Sequence, residues 1–481
     1  MRTDLDWLTH LIQCHDQELA ALQLLNAYYE GEQPLSYLAP ELQAEMGDRI
    51  RQVTVNWPRL VVDAVEERLD VEGFRFGDQA DADADLWRIW QANNLDEESQ
   101  QCHLDALVMR RAYVIVGSNP DDETLPVITV ESPLEAYAET DPRTRQVTAG
   151  IKRWTADDGD GPVDHATLYL PDETVWWIRD GDSWIEDPDN PSDEHGLGEV
   201  PMVPLVNRPR TRRRTGVSEL QDVIPLSDAA CKAATDMMVS EEFHAIPRRY
   251  AIGVGQEDFQ DERGRPMSAM RKLAGRIWAI DKSKSDGVEF GQFPEANLTN
   301  FHATLQQLAE MTAALAGLPL HFLGRLTANP VSADAIRSAE ARLVKRAERK
   351  QRSWGGSWER VMRLALRFRD GVWDPNAASL ETVWRDASTP TIAQAADAAT
   401  KLYASGIIPK RQLREDLGYT QVAIARMESE DEKAQSAALA RVLAGDVASM
   451  TGPKPPVAPP EQAAAPPDAA PTMAGAGGDG G

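Results

Sequence analysis

The sequence predicts an α+β protein in which two long helices carry a small β-rich segment at their far end. Three observations predict it. Apolar spacing follows a helical period over roughly the first 110 residues, then gives way between Ala112 and about Val206 to short alternating runs. Two helical stretches of more than twenty residues, 218–245 and 296–316, each about 30 Å long at 1.5 Å per residue, flank a turn-rich segment with strand-like texture. The net charge of −27 is also unevenly divided: residues 1–207 carry −29, residues 208–370 carry +7 and residues 371–481 carry −5. A basic middle third in an acidic chain marks that third for a distinct role.

The N-terminal helix is signalled by Leu5, Leu8, Leu11, Ile12, Leu19, Leu22 and Leu25, and Gly31 and Pro34 end it. Asn56 is placed to cap a helix with Pro58 in its first turn and Val61, Val65 and Leu69 on its buried stripe. Helices follow at "ADLWRIWQANN" and "DEESQQCHLDALVMRR", then strands at "YVIVG", "PVITV", "ATLYL" and "TVWWI". "DDGDG" at 157–161 imitates a calcium loop, but the register puts Ala156 at the first ligand position and Thr167 at the bidentate carboxylate position. It is a hairpin turn.

Beyond an arginine run, Ser218 and Gln221 have capping-box spacing, Pro225 predicts a kink or split, and Pro247 stops the helix. "RRYAIGV", "GRIWAI" and "GVEFGQF" read as strands, and the second long helix ends at Gly317. After a loop rich in Pro, Gly and Asn, Ser332 caps a basic helix to about Arg352, which Gly355 and Gly356 are expected to interrupt. A further helix groups Trp358, Val361, Met362, Ala365 and Phe368 on one face and leaves Arg360, Arg363 and Arg367 off it. A strand at "LETVWRD" precedes three helical pieces between 390 and about 448. From Thr451 onward the chain is mostly Pro, Ala and Gly, too poor in large apolar residues to offset ordering entropy, and a disordered tail is expected.

Catalytic motifs are scarce. There is no GxxxxGK[ST], HExxH or GxSxG, and "GVG" at 253–255 lacks a third glycine. Cys14, Cys102 and Cys231 are too scattered for a disulfide framework or metal knuckle, and His10, Cys14 and His15 read as ordinary helix occupants. Asp81, Asp83 and Asp85 could supply Mg²⁺ ligands, but at a helix start they favour the positive end of the dipole. No apolar run is long enough for a bilayer, and "MRTDLDWLTH" lacks a secretory pattern. The expectation is a soluble, non-enzymatic protein of a reducing compartment, with no cofactor, no metal and no membrane partner.

The order of parts, with "YYEGEQPL", "NWPRLVVDAVEERLDVEGF", "GVSELQDVIPLSDAACKAATDMMVSEEFHAIPRRY" and "GLPLHFLGRLTANPVSADAIRSAEARLVKRAER", resembles the portal (head-to-tail connector) proteins of tailed double-stranded DNA bacteriophages, of the siphophage type. The resemblance covers roughly residues 1–450. It implies a ring-forming portal-protein fold: wing at 1–216, stem helices at 217–246 and 295–317, a β-containing clip at 247–294, a tunnel loop at 318–331, a basic helix returning to the wing at 332–390, a helical crown at 391–450 and a tail at 451–481. It further implies a ring, commonly dodecameric, at one capsid vertex, with double-stranded DNA pumped in by the large terminase subunit and later released toward the tail. The implied partners are that terminase, a head–tail adaptor protein, and the major capsid and scaffolding proteins. The implied location is the virion's portal vertex, after assembly in the host cytoplasm.

On this reading the tunnel-loop candidates are His321, Phe322, Leu323, Arg325 and Asn329, with Arg325 or His321 facing the channel and Leu320, Phe322 and Leu323 able to pack on a neighbouring subunit. Arg263, Arg265, Arg271 and Lys272 are clip candidates for docking motor and adaptor in turn. Basic candidates are Arg208, Arg210, Arg212, Arg213 and Arg214 at the stem base and Arg337, Arg342, Lys345 and Arg346 on the basic helix. A bore must touch DNA without holding it, since every neutralised phosphate strengthens binding. The seven Lys and Arg from Arg337 to Arg352 spread around their helix rather than forming one stripe. That distribution favours pairing with acidic wing surfaces of adjacent subunits over facing DNA, the alternative being acidic neighbours in the same fold. Rival functions are a metal-dependent DNA-processing phage enzyme using Asp81, Asp83 and Asp85, and a minor capsid or scaffold protein.

Overall fold

The computed structural model describes residues 2–34, 53–77, 82–157, 159, 161–245, 249–252, 289–292, 298–324, 333–388, 392–419 and 421–451. The chain mixes helices and antiparallel sheets and divides into two compact units, Met1–Ser388 and Thr389–Gly481.

The first unit opens with α1 (Asp4–Glu30), started by a capping box in which the Thr3 hydroxyl accepts from the Asp6 amide at 3.2 Å and the Asp6 carboxylate accepts from the Thr3 amide at 2.9 Å. It ends at Gly31, whose φ of 77° is the left-handed conformation that closes helices. α2 (Trp57–Glu66) starts where the Asn56 side-chain oxygen accepts from the Arg59 amide at 3.1 Å, with Pro58 in the first turn. β1 (Val71–Arg75), α3 (Ala84–Ala92) and α4 (Leu95–Val108) follow. Asp83 caps α3 by accepting from the amides of Asp85 and Leu86.

The predicted strand texture is realised as β2 (Arg111–Gly117), β3 (Val127–Glu131), β4 (Ala136–Thr140), β5 (Val147–Asp157), β6 (Pro162–Tyr169), β7 (Thr174–Asp180), β8 (Ser183–Glu186) and β9 (Met202–Val206). They form a five-stranded antiparallel meander, β4-β5-β6-β7-β8, and a three-stranded sheet, β3-β2-β9. β5 and β6 pair antiparallel from Asp157 opposite Pro162 onward, while Asp158 and Asp160 of "DDGDG" lie outside the described residues. The sheets meet where Tyr113 and Ile115 pack with Ala136, Val147 and Met202. Gly150 leaves room there for the Met202 side chain, whose sulfur would lie 2.7 Å from a Cβ at that position. α1 serves two cores: Leu8 and Leu11 pack on Ile151, Leu168 and Trp177 of the meander, while Leu22, Leu25, Tyr28 and Tyr29 join the main core.

From the three-stranded sheet the chain enters a 3-10 turn (Glu219–Asp222) and then α5 (Ile224–Ala245). Ser218 caps the turn through the Leu220 amide at 3.0 Å, and Pro225 stands in the first turn of α5, so the helix is split near the proline as its missing N–H requires. β10 (Arg249–Ile252) and β11 (Glu289–Gln292) pair antiparallel, and α6 (Thr299–Ala316) returns against α5. Gly317, at φ 68°, ends α6. A short 3-10 turn, Leu320–Leu323, precedes α7 (Ala333–Asp370), and β12 (Glu381–Trp384) pairs with β1.

α7 corrects one expectation. It is a single 38-residue helix, and Gly355 and Gly356 lie inside it rather than interrupting it. Each interior glycine costs roughly 1 kcal/mol, but Trp354 and Trp358 on either side are fully buried in the main core, a larger gain in the other direction. Gly355 also lets β12 approach: a Cβ there would sit 3.2 Å from the Trp384 indole nitrogen, and the Thr382 hydroxyl donates to the Gly355 carbonyl at 3.0 Å.

The second unit contains α8 (Ile392–Ala404), α9 (Lys410–Asp416) and α10 (Gln421–Thr451). Lys410 and Arg414 of α9 both pair with Asp431 of α10, at 2.7 and 2.5 Å, and Ile424 is buried. The tail expected beyond Thr451 lies outside the described residues.

Candidate functional site

Among the described residues, a dense polar constellation lies at the base of the α5–α6 pair, where the chain leaves the three-stranded sheet and where α7 passes back. The 3-10 turn presents Glu219 inward, and its carboxylate is buried. Lys350, on the inner face of α7, donates to Glu219 Oε1 at 2.5 Å and also to the Asn207 side-chain oxygen. Arg346, one turn earlier, donates to Glu219 Oε2, and Arg208 lies 3.9 Å from Glu219 and 2.9 Å from Asp222.

Burial alone would raise the Glu219 carboxyl. Lys350, Arg346 and Arg208 outweigh it and hold the group down at about 2. Lys350 is itself pushed down by burial, with Glu219 opposing that and Arg346 and Arg208 adding to it. The carboxylate is thus the hub of a cationic cluster, ionised throughout the physiological range.

The backbone around this hub is held tightly. The Asn207 side chain donates to the Val217 carbonyl at 2.7 Å, the Val217 amide donates to the Asn207 carbonyl at 2.9 Å, and the Trp354 indole donates to the Val206 carbonyl at 3.0 Å. Gly216, at φ 80°, fits because a Cβ would meet the carbonyl oxygens of Arg110 and Asn207 at 2.5 and 2.7 Å. No side chain can be added there without moving backbone.

Beside the hub opens a cleft of about 530 Å³ lined by Arg208, Arg342, Arg346, Arg349 and Lys350 against Glu219 and Asp222. Five cations against two carboxylates leave a positive surplus. Arg342 also donates to the Ala314 carbonyl at 2.7 Å, binding a free carbonyl in the last turn of α6. Lys345 is spent locally, on Glu348 at 2.5 Å, in an exposed pair within the helix. Arg210, Arg212, Arg213 and Arg214 are exposed on a turn closed by reciprocal backbone bonds between Arg210 and Arg213, at 2.9 and 3.0 Å, and pair with no carboxylate among the described residues. The structure therefore brings Arg208, Arg342 and Arg346 into one site and leaves the other arginines of the run outside it. The side chain of Arg337 lies outside the described set.

In the predicted loop, Phe322 packs partly on the main core, His321 is exposed 4.0 Å from Glu340, Leu323 is half-buried and Gly324 is left-handed at φ 78°. Arg325, Asn329 and the clip candidates Arg263, Arg265, Arg271 and Lys272 fall outside the described residues. The carboxylates weighed for Mg²⁺ are otherwise engaged, Asp83 as the α3 cap and Asp85 with Arg88 at 3.0 Å and with Arg369; Asp81 is outside the described set.

Sequence reasoning missed Glu219, Asn207 and Lys350. Glu219 and Lys350 are 131 residues apart, so no local spacing could join them. The available signal was a lone glutamate at the start of "ELQD", just after an arginine run.

Comparison with known proteins decides the family. The model of the family described as "Phage portal protein, SPP1 Gp6-like" matches residues 8–437. The chain belongs to this phage portal protein family. Among its relatives is the portal protein of Mycobacterium phage L5, 38% identical over 465 residues that cover 94% of this chain and 92% of that one. Another is the portal protein of Mycobacterium phage D29, 38% identical over 435 residues that cover 88% and 87%. Among solved structures, a chain from the neck of an empty gene transfer agent particle is 13% identical, with a TM-score of 0.43 over 80% of this chain and 95% of that one. A chain from the virion of the native gene transfer agent particle is 14% identical, with a TM-score of 0.41 over the same shares. Among the described residues, no helix of this portal-family chain is long and apolar enough to cross a membrane.

Proposed function

We propose that copies of this chain assemble as a ring at one vertex of a capsid and form the channel through which double-stranded DNA is packaged and later ejected. The observation that carries the reading is the match to the portal family across residues 8–437. The antiparallel α5–α6 pair, closed at its base by the Glu219 hub, supports it as the stem that lines a shared axis. The tip between α5 and α6 is the docking surface for the large terminase subunit and then for the head–tail adaptor. The turn around His321 borders the bore, and the protein acts as a conduit without catalysis of its own.

The basic surface at the stem base faces acidic surface on the neighbouring copy rather than DNA. Residues 1–207, at −29, offer abundant carboxylates, and a bore lined with unpaired arginines would grip phosphates and slow transport. The test is negative-stain imaging of the purified full-length chain. Rings with a central hole are expected, and monomers at every concentration would overturn the proposal.

A further inference from the structure

We propose that His10, Cys14 and Glu139 form a binding site for a divalent transition-metal cation of the zinc class, which pins α1 to the edge of the five-stranded sheet. His10 and Cys14 are four residues apart on α1, one turn, and so share a face. Glu139 comes from a different element, β4, the edge strand of the meander. The three ligand atoms lie within 4.8 Å of one another. His10 Nε2 contacts Glu139 Oε2, and Cys14 Sγ lies beside the His10 ring, 3.7 Å from Nε2 and 4.0 Å from Nδ1.

The distances suit a small tetrahedral ion. Bonds of 2.0–2.3 Å to nitrogen, oxygen and sulfur put neighbouring ligand atoms about 3.3–3.6 Å apart. Sulfur and nitrogen are nearly at that spacing already, and rotation of the Glu139 side chain supplies the rest. The pairing register shifts between Glu139 and Thr140, a bulge of the kind that re-aims side chains. Trp7 packs edge-on against the His10 ring with centroids 6.1 Å apart, which limits its orientation.

Donor chemistry selects the ion class. A thiolate beside an imidazole and a carboxylate suits zinc or cobalt and disfavours magnesium and calcium, which take oxygen ligands. The His10 and Glu139 side chains are 29% and 32% exposed, so an ion can enter and water can take the fourth position. Binding displaces a proton from the Cys14 thiol to solvent as the metal–sulfur bond forms.

The probe is Co²⁺, added to the metal-stripped full-length protein. One equivalent per chain is expected to give a thiolate-to-cobalt charge-transfer band and tetrahedral visible bands, both displaced by Zn²⁺. Cys14→Ser is expected to abolish the charge-transfer band, and Glu139→Gln to weaken Co²⁺ binding by at least about tenfold. Zn²⁺ should raise the melting temperature of the parent protein and leave that of Cys14→Ser unmoved. No charge-transfer band in the parent protein at excess Co²⁺ would overturn the proposal, as would a band that survives in Cys14→Ser. The parent titration stands even if a variant fails to fold.

Discussion

Lys350 and Arg346 of α7 close on a buried carboxylate, whereas Arg210, Arg212, Arg213 and Arg214 stand in solvent on a turn only a few residues from that carboxylate in sequence. Both groups belong to the same basic third of the chain, and composition cannot tell them apart. In the first, removing water makes each charge depend on its partner, and loss of one leaves the other exposed to the full desolvation cost. In the second, water screens each guanidinium and little stability is at stake. One third of the sequence thus holds both a structural clasp and a free electrostatic surface.

The sharpest way to break this contrast is Glu219→Gln. It strips the counter-charge from buried Lys350 and should cost about 3–5 kcal/mol, read as a lower denaturant midpoint. Adding Lys350→Met should recover much of that loss, because the stranded charge goes with it. If Glu219→Gln alone is neutral, the clasp is not structural.

Acid sharpens the contrast next. Glu219 sits at about 2 in the folded chain against an ordinary value of 4.5. Its stabilisation is therefore complete above about 4.5 and is lost as pH falls toward 2. The stability gap between the parent protein and Glu219→Gln should narrow by on the order of 3 kcal/mol across that window, measured by thermal melts at stepped pH. A gap independent of pH would refute the assignment.

A smaller effect is expected at a capping carboxylate that pairs with no cation among the described residues. Asp83→Ala removes the acceptor for two α3 amides and should cost about 1 kcal/mol, again by denaturant midpoint. Smallest in stability is the exposed turn: changing Arg210, Arg212, Arg213 and Arg214 together to Ala should shift folding by less than about 0.5 kcal/mol. The same change should make association of copies weaker and less sensitive to salt, which sedimentation at two ionic strengths would read. A large folding loss there would erase the distinction between the two groups.

Much of the fold was legible where a local rule applied. Asn56, Asp83, Gly31 and Gly317 mark helix ends through caps and left-handed geometry, and the strand runs stand out through alternation. Rules of that kind failed at Gly355 and Gly356, where propensity argued for a break and the buried indoles of Trp354 and Trp358 overrode it. The stem-base site was legible by halves. Its arginines were visible as a charge cluster, but the carboxylate that sorts them is brought in by tertiary folding. His10 and Cys14 were likewise visible as neighbours on a helix, while Glu139 arrives from 125 residues or more away in the chain.

The clasp also has a topological meaning. Glu219 lies where the chain departs toward the tip and Lys350 where it comes home, so the intervening segment is a loop tied at its neck by one ion cluster. Closure entropy grows only as the logarithm of loop length, about 0.6 kcal/mol for each doubling. The intervening segment can therefore lengthen or shorten at little entropic cost while the clasp at its neck keeps the same partners.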